Sequence, residues 1–144
     1  MNTIDPPLFV YGTLRDREIF EGVLGRRVAA EALNSARAYG WRTIYYGHNL
    51  YPALVAANEW VAGLLVTDLS RNDMVRLDIF EGDEYRRSTL EIHVESGTAT
   101  AQTYLPVRQI DPDGPRWSFA NWTKLHRRQA IPHHRLQEFN WTPE

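Results

Sequence analysis

The chain has 144 residues, a formal net charge of −2 and no cysteine. Its composition, 43% hydrophobic and 24% charged, is typical of a globular protein and excludes a disordered one. The lack of cysteine excludes disulfides, thiolate metal centres and a cysteine nucleophile. No apolar run approaches the ~18–20 residues of a membrane span, and residues 1–7 do not resemble a signal peptide. We therefore expect a cytoplasmic protein with no membrane partner, and one domain over residues 1–144, its core at about 8–125 and a C-terminal extension at 126–144.

The beginning of the chain predicts a strand, a turn and a helix. The apolar run Leu8–Tyr11 favours a strand that Gly12 ends. Residues 15–24 carry apolar side chains at helical spacing, and Gly25 provides a stop. The order strand, glycine turn, helix therefore opens the domain.

The next segment is rich in strand-forming residues. Residues 28–46 favour one or two strands, and residues 47–52 favour a loop. Two more strands are predicted at 52–56 and 60–67, with a turn near Asn58. This part of the chain thus predicts a sheet built from consecutive strands.

The clearest helix is predicted over residues 70–80. Ser70 can cap it, and Asp73 completes a pattern like a capping box. Met74, Leu77 and Phe80 form one apolar stripe at helical spacing. Gly82 is predicted to end the helix.

A hairpin follows this helix. Residues 85–95 alternate between apolar and polar side chains, which is typical of a half-buried strand. Ser96–Gly97 is a plausible two-residue turn, and residues 98–107 return as the partner strand.

A turn and a final helix complete the predicted elements. Residues 111–115 are rich in Asp, Pro and Gly and favour a turn. Ser118 can cap the helix, with Trp117 and Trp122 placed for a hydrophobic staple, and Pro132 is predicted to stop it. We infer an α+β domain on a mixed or antiparallel sheet that is closed or strongly curved.

Common motifs of nucleotide, zinc and serine-hydrolase sites are absent from the sequence. The adjacent pair His133–His134 could suggest a metal, but neighbouring residues rarely point at one ion, and no nearby carboxylate pair completes a site. We expect two surface histidines, no metal and no cofactor.

The C-terminal part is basic and aromatic. Residues 114–137 carry a charge of +5, whereas residues 1–115 carry −5. Interleaved basic and aromatic side chains are typical of a single-strand nucleic-acid surface. Alternatively, the aromatic side chains belong to the core and the arginines pair with the acidic remainder. We favour the second interpretation, with no nucleic-acid partner and with Arg127 and Arg128 as solubilising surface charges.

The segment Val10–Leu14 is the first candidate site. Its backbone N–H groups, at a junction between a strand and a helix, can bind a carboxylate or phosphate. Gly12 would permit close approach of a ligand to the backbone. The alternative is a plain turn with no ligand.

Glu81 is the second candidate, because it continues an apolar helical stripe. Met74, Leu77 and Glu81 lie at i, i+3 and i+7, so the carboxylate should sit on or beside the buried face. Desolvation there would raise its pKa toward the range of a general base. The alternative is that Glu81 only pairs with Arg86 or Arg87, or lies at a frayed helix end. Three neighbouring carboxylates are expected to be more solvated: Asp78, Asp83 and Glu84.

The two candidate segments together resemble one family. Tyr-Gly-Thr-Leu at 11–14, Leu-Asp-x-Phe-Glu-Gly-x-x-Tyr-Arg at 77–86 and Trp-Ser-Phe at 117–119 resemble the gamma-glutamylcyclotransferase-like superfamily. Within it, the chain is most similar to the branch of plant avirulence-induced-gene proteins and gamma-glutamylamine cyclotransferases. The resemblance covers about residues 8–125. It implies an α+β fold, a small mixed β-barrel flanked by helices, with a cavity at one end.

The resemblance also implies a reaction. The α-amine of a gamma-glutamyl group attacks its own side-chain carbonyl and yields 5-oxoproline and a free amine. Glu81 is then the catalytic glutamate, and the substrate loop consists of Tyr11, Gly12, Thr13 and Leu14, with Thr13 in place of the usual serine. Tyr85 or Tyr104 would help to position the small-molecule gamma-glutamyl substrate. Because nucleophile and electrophile lie in one molecule, the reaction needs no cofactor.

Two other functions remain open at this point. The same fold could bind an amino-acid derivative without turning it over. Alternatively, the chain could be an interaction module that uses its basic C-terminal helix. A semi-buried Glu81 favours the enzyme, since a pure binder has no need of such a carboxylate.

Overall fold

The computed structural model describes residues 7–47 and 49–128, so the predictions made for Pro132 and for His133–His134, and most of the extension at 126–144, lie outside the described residues. The strands are β1 (Leu8–Val10), β2 (Leu33–Tyr45), β3 (Pro52–Val66), β4 (Tyr85–Val94) and β5 (Gly97–Pro106), and the helices are α1 (Arg17–Leu24), α2 (Arg71–Glu81) and α3 (Phe119–Leu125). Short 3₁₀ turns lie at Thr13–Arg15, Ala30–Ala32 and Gly82–Glu84.

The five strands form a closed barrel in the order β1-β3-β2-β4-β5. Most neighbours pair antiparallel, and the barrel closes where β1 meets β5 in parallel, at Leu8 and Gln102. The barrel is therefore mixed, and the predicted α+β fold with a small mixed β-barrel is confirmed.

Side-chain alternation along β1 separates the barrel interior from the helical layer. Phe9 and Tyr11 pack inside against β2, β3, β4 and β5, whereas Leu8 and Val10 pack outside against α1 and α2. Gly63 makes room for Phe9, because a Cβ atom at Gly63 would lie 2.7 Å from the Phe9 ring. The interior is filled by side chains and is not a channel.

Local signals define the helix ends as predicted. Ser70 and Asp73 form a reciprocal capping box at the start of α2, and Gly82, with φ of 73°, follows its last residue. Ser118 caps α3 by accepting a hydrogen bond from the backbone of Asn121. None of the helices within residues 7–47 and 49–128 is long and apolar enough to cross a membrane.

The predicted turn near Asn58 is wrong, because β3 runs without a break. The pairing of β2 with β3 shifts register between Tyr39 and Trp41, so that residues 57–59 lie opposite Gly40. The irregularity is a bulge inside a long hairpin. The two strands pair on both sides of it, so the hairpin continues.

The predicted turn at Ser96–Gly97 is displaced by one residue. Val94 pairs directly with Gly97, so the two-residue turn consists of Glu95 and Ser96. Gly97 begins β5 with φ of 139°, a backbone conformation that favours glycine.

Candidate functional site

Glu81 is the last residue of α2 and is only partly exposed. Met74 and Leu77, on the same helical stripe, are buried and fix this face of the helix against the barrel. Burial of the carboxyl group, followed by the negative charge of Asp78, raises the pKa of Glu81 to about 8. The group can therefore take up and release a proton near neutral pH.

Arg87, one of the two arginines that the alternative interpretation pairs with Glu81, binds Asp78. Arg87 approaches Asp78 with Nε–Oδ1 and Nη2–Oδ2 distances of 3.0 and 3.1 Å, and the Tyr104 hydroxyl donates to the same carboxylate at 2.6 Å. The Asp78 side chain is 42% exposed and is therefore partly solvated, and these contacts also hold it between β4 and β5. Within the described ranges the structure gives Glu81 no ion pair.

Three tyrosines lie within electrostatic range of the Glu81 carboxylate. The Tyr11 hydroxyl donates to the backbone oxygen of Tyr104 at 2.6 Å, and the Tyr85 hydroxyl donates to that of Pro52 at 2.5 Å. Burial, above all, raises the pKa of Tyr11, Tyr85 and Tyr104, and the charge of Glu81 raises all three further. The loop that begins at Tyr11 and the end of α2 therefore lie near each other.

The Glu84 side chain is 37% exposed, and two tyrosines also bind this residue. The Tyr51 hydroxyl donates to Glu84 Oε1 at 2.5 Å, and the Tyr46 hydroxyl donates to the Glu84 backbone oxygen at 2.8 Å. Asp83 is exposed, as predicted. Sequence reasoning missed Tyr46 and Tyr51, although the run of tyrosines between residues 45 and 51 was a visible signal.

The predicted substrate loop is a 3₁₀ turn. The N–H groups of Arg15 and Asp16 donate to the backbone oxygens of Gly12 and Thr13, whereas the first N–H groups of such a turn have no acceptor within it. Leu14 is buried, so its side chain belongs to the core. The loop can therefore offer backbone donors from Gly12 to Leu14.

The structure gives another reason for glycine at position 12. A Cβ atom there would lie 2.9 Å from Cγ of Pro52, so the close approach is made by the Pro52 ring at the start of β3. Pro52 therefore contacts the loop through its ring and accepts the Tyr85 hydrogen bond through its backbone oxygen.

The basic C-terminal part is integrated into the domain. Trp117 and Trp122 are buried. Arg127 pairs with Asp16, the N-cap residue of α1, and with Glu18 at 3.0 Å. Arg127 is thus an anchor of the segment after α3 and not only a solubilising charge, whereas Arg128 is exposed. The absence of a nucleic-acid partner stays a prediction.

Three comparisons identify relatives of the chain. A family model described as gamma-glutamyl cyclotransferase, AIG2-like, matches residues 8–124. The chain is 29% identical to AIG2-like protein A of Arabidopsis thaliana, over 86% of this chain and 76% of that protein, and 30% identical to AIG2-like protein C, over 86% and 73%.

Solved structures show the same fold. A solution structure of an Arabidopsis thaliana protein, 27% identical, superimposes with a TM-score of 0.66 and covers 95% of this chain and 93% of its own. A crystal structure of a Mus musculus AIG2-like protein is 15% identical and superimposes with a TM-score of 0.53. The match covers 76% of this chain and 81% of the mouse chain. Because the family model spans most of the domain, including both candidate segments, the chain belongs to the AIG2-like gamma-glutamyl cyclotransferase family.

Proposed function

We propose that the protein converts a gamma-glutamyl amine or peptide to 5-oxoproline and a free amine, with Glu81 as general acid and base. The observation that carries the proposal is the partly buried Glu81 carboxyl group, whose pKa is raised to about 8 beside the loop that begins at Tyr11. A proton carrier with a pKa near the working pH transfers protons most effectively in both directions.

The reaction can be written with Glu81 as the only proton carrier. The positive charge of the substrate's ammonium group lowers the pKa of Glu81 and so favours its carboxylate form in the complex. This carboxylate then accepts one proton from the ammonium group. The resulting α-amine attacks the side-chain carbonyl carbon, so that a new C–N bond closes the five-membered ring. Glu81 then gives that proton to the departing nitrogen as the original amide bond breaks. It next takes the second proton that the ring nitrogen must lose and passes it to the freed amine, which leaves as an ammonium ion. Glu81 is then a carboxylate again, and the balance needs no other reactant.

The loop supplies the complementary part of the site. Backbone N–H groups between Gly12 and Leu14 are the proposed donors to the substrate's α-carboxylate, and fixed donors of this kind need no reorganisation during the reaction. Holding the amine against the carbonyl can be worth an effective concentration of ~10⁵–10⁸ M. Tyr85 and Tyr104 direct their hydroxyl protons to Pro52 and Asp78, so we assign them to the shape of the site.

The test is release of 5-oxoproline from gamma-glutamyl amides of an alkylamine, an amino acid and a lysine side chain. The α-glutamyl isomers, which lack the amide at the side-chain carbonyl, are the matched controls. We expect 5-oxoproline from at least one gamma-glutamyl compound and from no α-glutamyl isomer. Binding of these compounds without release would instead support the non-catalytic binding module.

A further inference from the structure

A groove of about 200 Å³ lies between β3 and the segment that leads into α3. Its charged lining consists of Arg15, Arg42, Arg116 and Glu59, and its aromatic lining includes Trp60, Trp117 and Phe119. It shares Tyr11 with the Glu81 site, but none of the carboxylates of that site lines it.

The groove has more positive than negative charge. Glu59 accepts from Arg116 at 2.7 and 2.5 Å and from Arg42 at 2.8 Å, and these hydrogen bonds, first that from Arg116, lower the pKa of Glu59 to about 2. One ionised carboxylate therefore faces three guanidinium groups in the lining. Asp113 reaches Arg42 only at 3.5 Å and is largely exposed.

Two guanidinium groups of the groove have hydrogen-bond donors without an acceptor among the described residues. Arg15 is half-buried, has its Cζ atom 4.4 Å from the centre of the Phe119 ring, and makes no ion pair with the described residues. Burial lowers the pKa of Arg15, which agrees with an unpaired cation. The Nε atom of Arg42 is buried and has no hydrogen-bond partner in the described part of the chain. Buried donors normally have partners, so the unsatisfied Nε atom adds positive potential behind the groove, and the guanidinium of Arg15 is the group that can pair with a ligand.

The aromatic lining of the groove indicates the shape and size of the remaining part of the ligand. Trp60 is 49% exposed, which is unusual for so large an apolar group, and it lines the groove together with Trp117 and Phe119. Planar side chains favour a planar ligand group through offset or edge contacts. The volume is below the ~300–1,000 Å³ of a typical drug-sized pocket, so the occupant is small.

From this juxtaposition we propose that the groove is a second ligand site, which binds a small aromatic carboxylate. The carboxylate pairs with Arg15 and lies within reach of Arg42, and the ring packs against Trp60. Charge complementarity selects the anion, and the aromatic wall excludes a purely inorganic ion as the preferred ligand. Binding of this ligand does not require turnover at Glu81.

Phenylacetate is the probe, and its binding is measured by calorimetry and by shifts of tryptophan indole N–H signals in NMR spectra. Phenylacetamide is the neutral control, and acetate is the control without a ring. We expect phenylacetate to bind and to shift the Trp117 indole signal, and both controls to bind at least about tenfold more weakly. Arg15→Gln should weaken phenylacetate binding about ten- to hundredfold, as expected for a lost charge-assisted hydrogen bond.

Matched variants separate the site from general effects. Arg71→Gln, at an exposed position on α2, should leave phenylacetate binding unchanged. Trp60→Leu, at a side chain that is already half exposed, should fold and should weaken the binding. Any of three results overturns the proposal: no phenylacetate binding at about 10 mM, equal binding by folded Arg15→Gln, or equal binding of phenylacetamide. If Arg15→Gln does not fold, Trp60→Leu and phenylacetamide decide the question.

Discussion

Glu81 makes the stability of the fold depend on pH in a predictable direction. The carboxyl group has an ordinary pKa of 4.5 and a pKa of about 8 in the folded protein, chiefly because it is buried. Between these values the folded state binds more protons than the unfolded state, so the free energy of unfolding falls as pH rises. The stabilising contribution is complete below pH 4.5 and is lost as pH rises through about 8.

The substitution Glu81→Gln removes this pH dependence of stability, so a comparison with the parent protein measures its size. A pKa difference of one unit corresponds to about 1.4 kcal/mol. From pH 5 to pH 8, the free energy of unfolding of the Glu81→Gln protein should therefore rise relative to that of the parent protein by at most about 3–4 kcal/mol. Any effect of the amide on packing is the same at every pH and cancels in this comparison.

Urea denaturation of both proteins at several pH values provides the measurement, with Asp83→Asn, at an exposed position, as the control. The Asp83→Asn difference should be nearly constant with pH over this range. A Glu81→Gln difference that is equally flat would show that Glu81 is ionised in the folded protein at pH 5, and the reasoning about its burial would be refuted.

Three further predictions concern the surroundings of the site. Asp78→Asn should lower the pKa of Glu81, because it removes a nearby negative charge, and a ¹³C NMR titration of the glutamate carboxyl groups would show no shift if this is wrong. Gly63→Ala should cost about 3 kcal/mol or more in thermal unfolding, since its Cβ would lie 2.4 Å from a backbone oxygen of β1; a loss under about 1 kcal/mol would contradict this packing. Arg127→Ala should cost about 1–2 kcal/mol by leaving Asp16 without its arginine, and unchanged stability would show that the pair does not anchor the chain.

Local signals made much of the fold predictable. The capping box at Ser70 and Asp73, the stop at Gly82 and the cap at Ser118 depend on neighbouring residues, and each is formed as predicted. The break expected at Asn58 was wrong, because pairing with β2 outweighs the turn preference of one residue.

The site was predictable only where it follows the helical stripe. The position of Glu81 beside the buried face could be read from spacing along α2. The partners of Asp78 could not, since Tyr104 reaches it from β5, 26 residues further on. The contact of Glu84 with Tyr51 spans 33 residues and depends in the same way on how the strands are arranged.

The groove of the second proposed site had no local signature. Arg15, Arg42 and Arg116 come from a turn, a strand and a loop that are far apart in the sequence. They come together because β2 pairs with residues 115–117. The Tyr45 N–H donates to the Pro115 oxygen, and the Trp117 N–H donates to the Thr43 oxygen. Sequence analysis found the basic and aromatic composition but not this arrangement.

The central claim is that Glu81 carries the proton in a 5-oxoproline-forming reaction. The most direct test is the rate of 5-oxoproline release by Glu81→Gln, on a gamma-glutamyl substrate that the parent protein turns over, with Asp83→Asn measured beside it. General acid–base groups contribute ~10²–10⁴-fold, so Glu81→Gln should lose about that much of kcat with little change in KM, and Asp83→Asn should lose less than about tenfold. Parental turnover by a folded Glu81→Gln protein would contradict the claim.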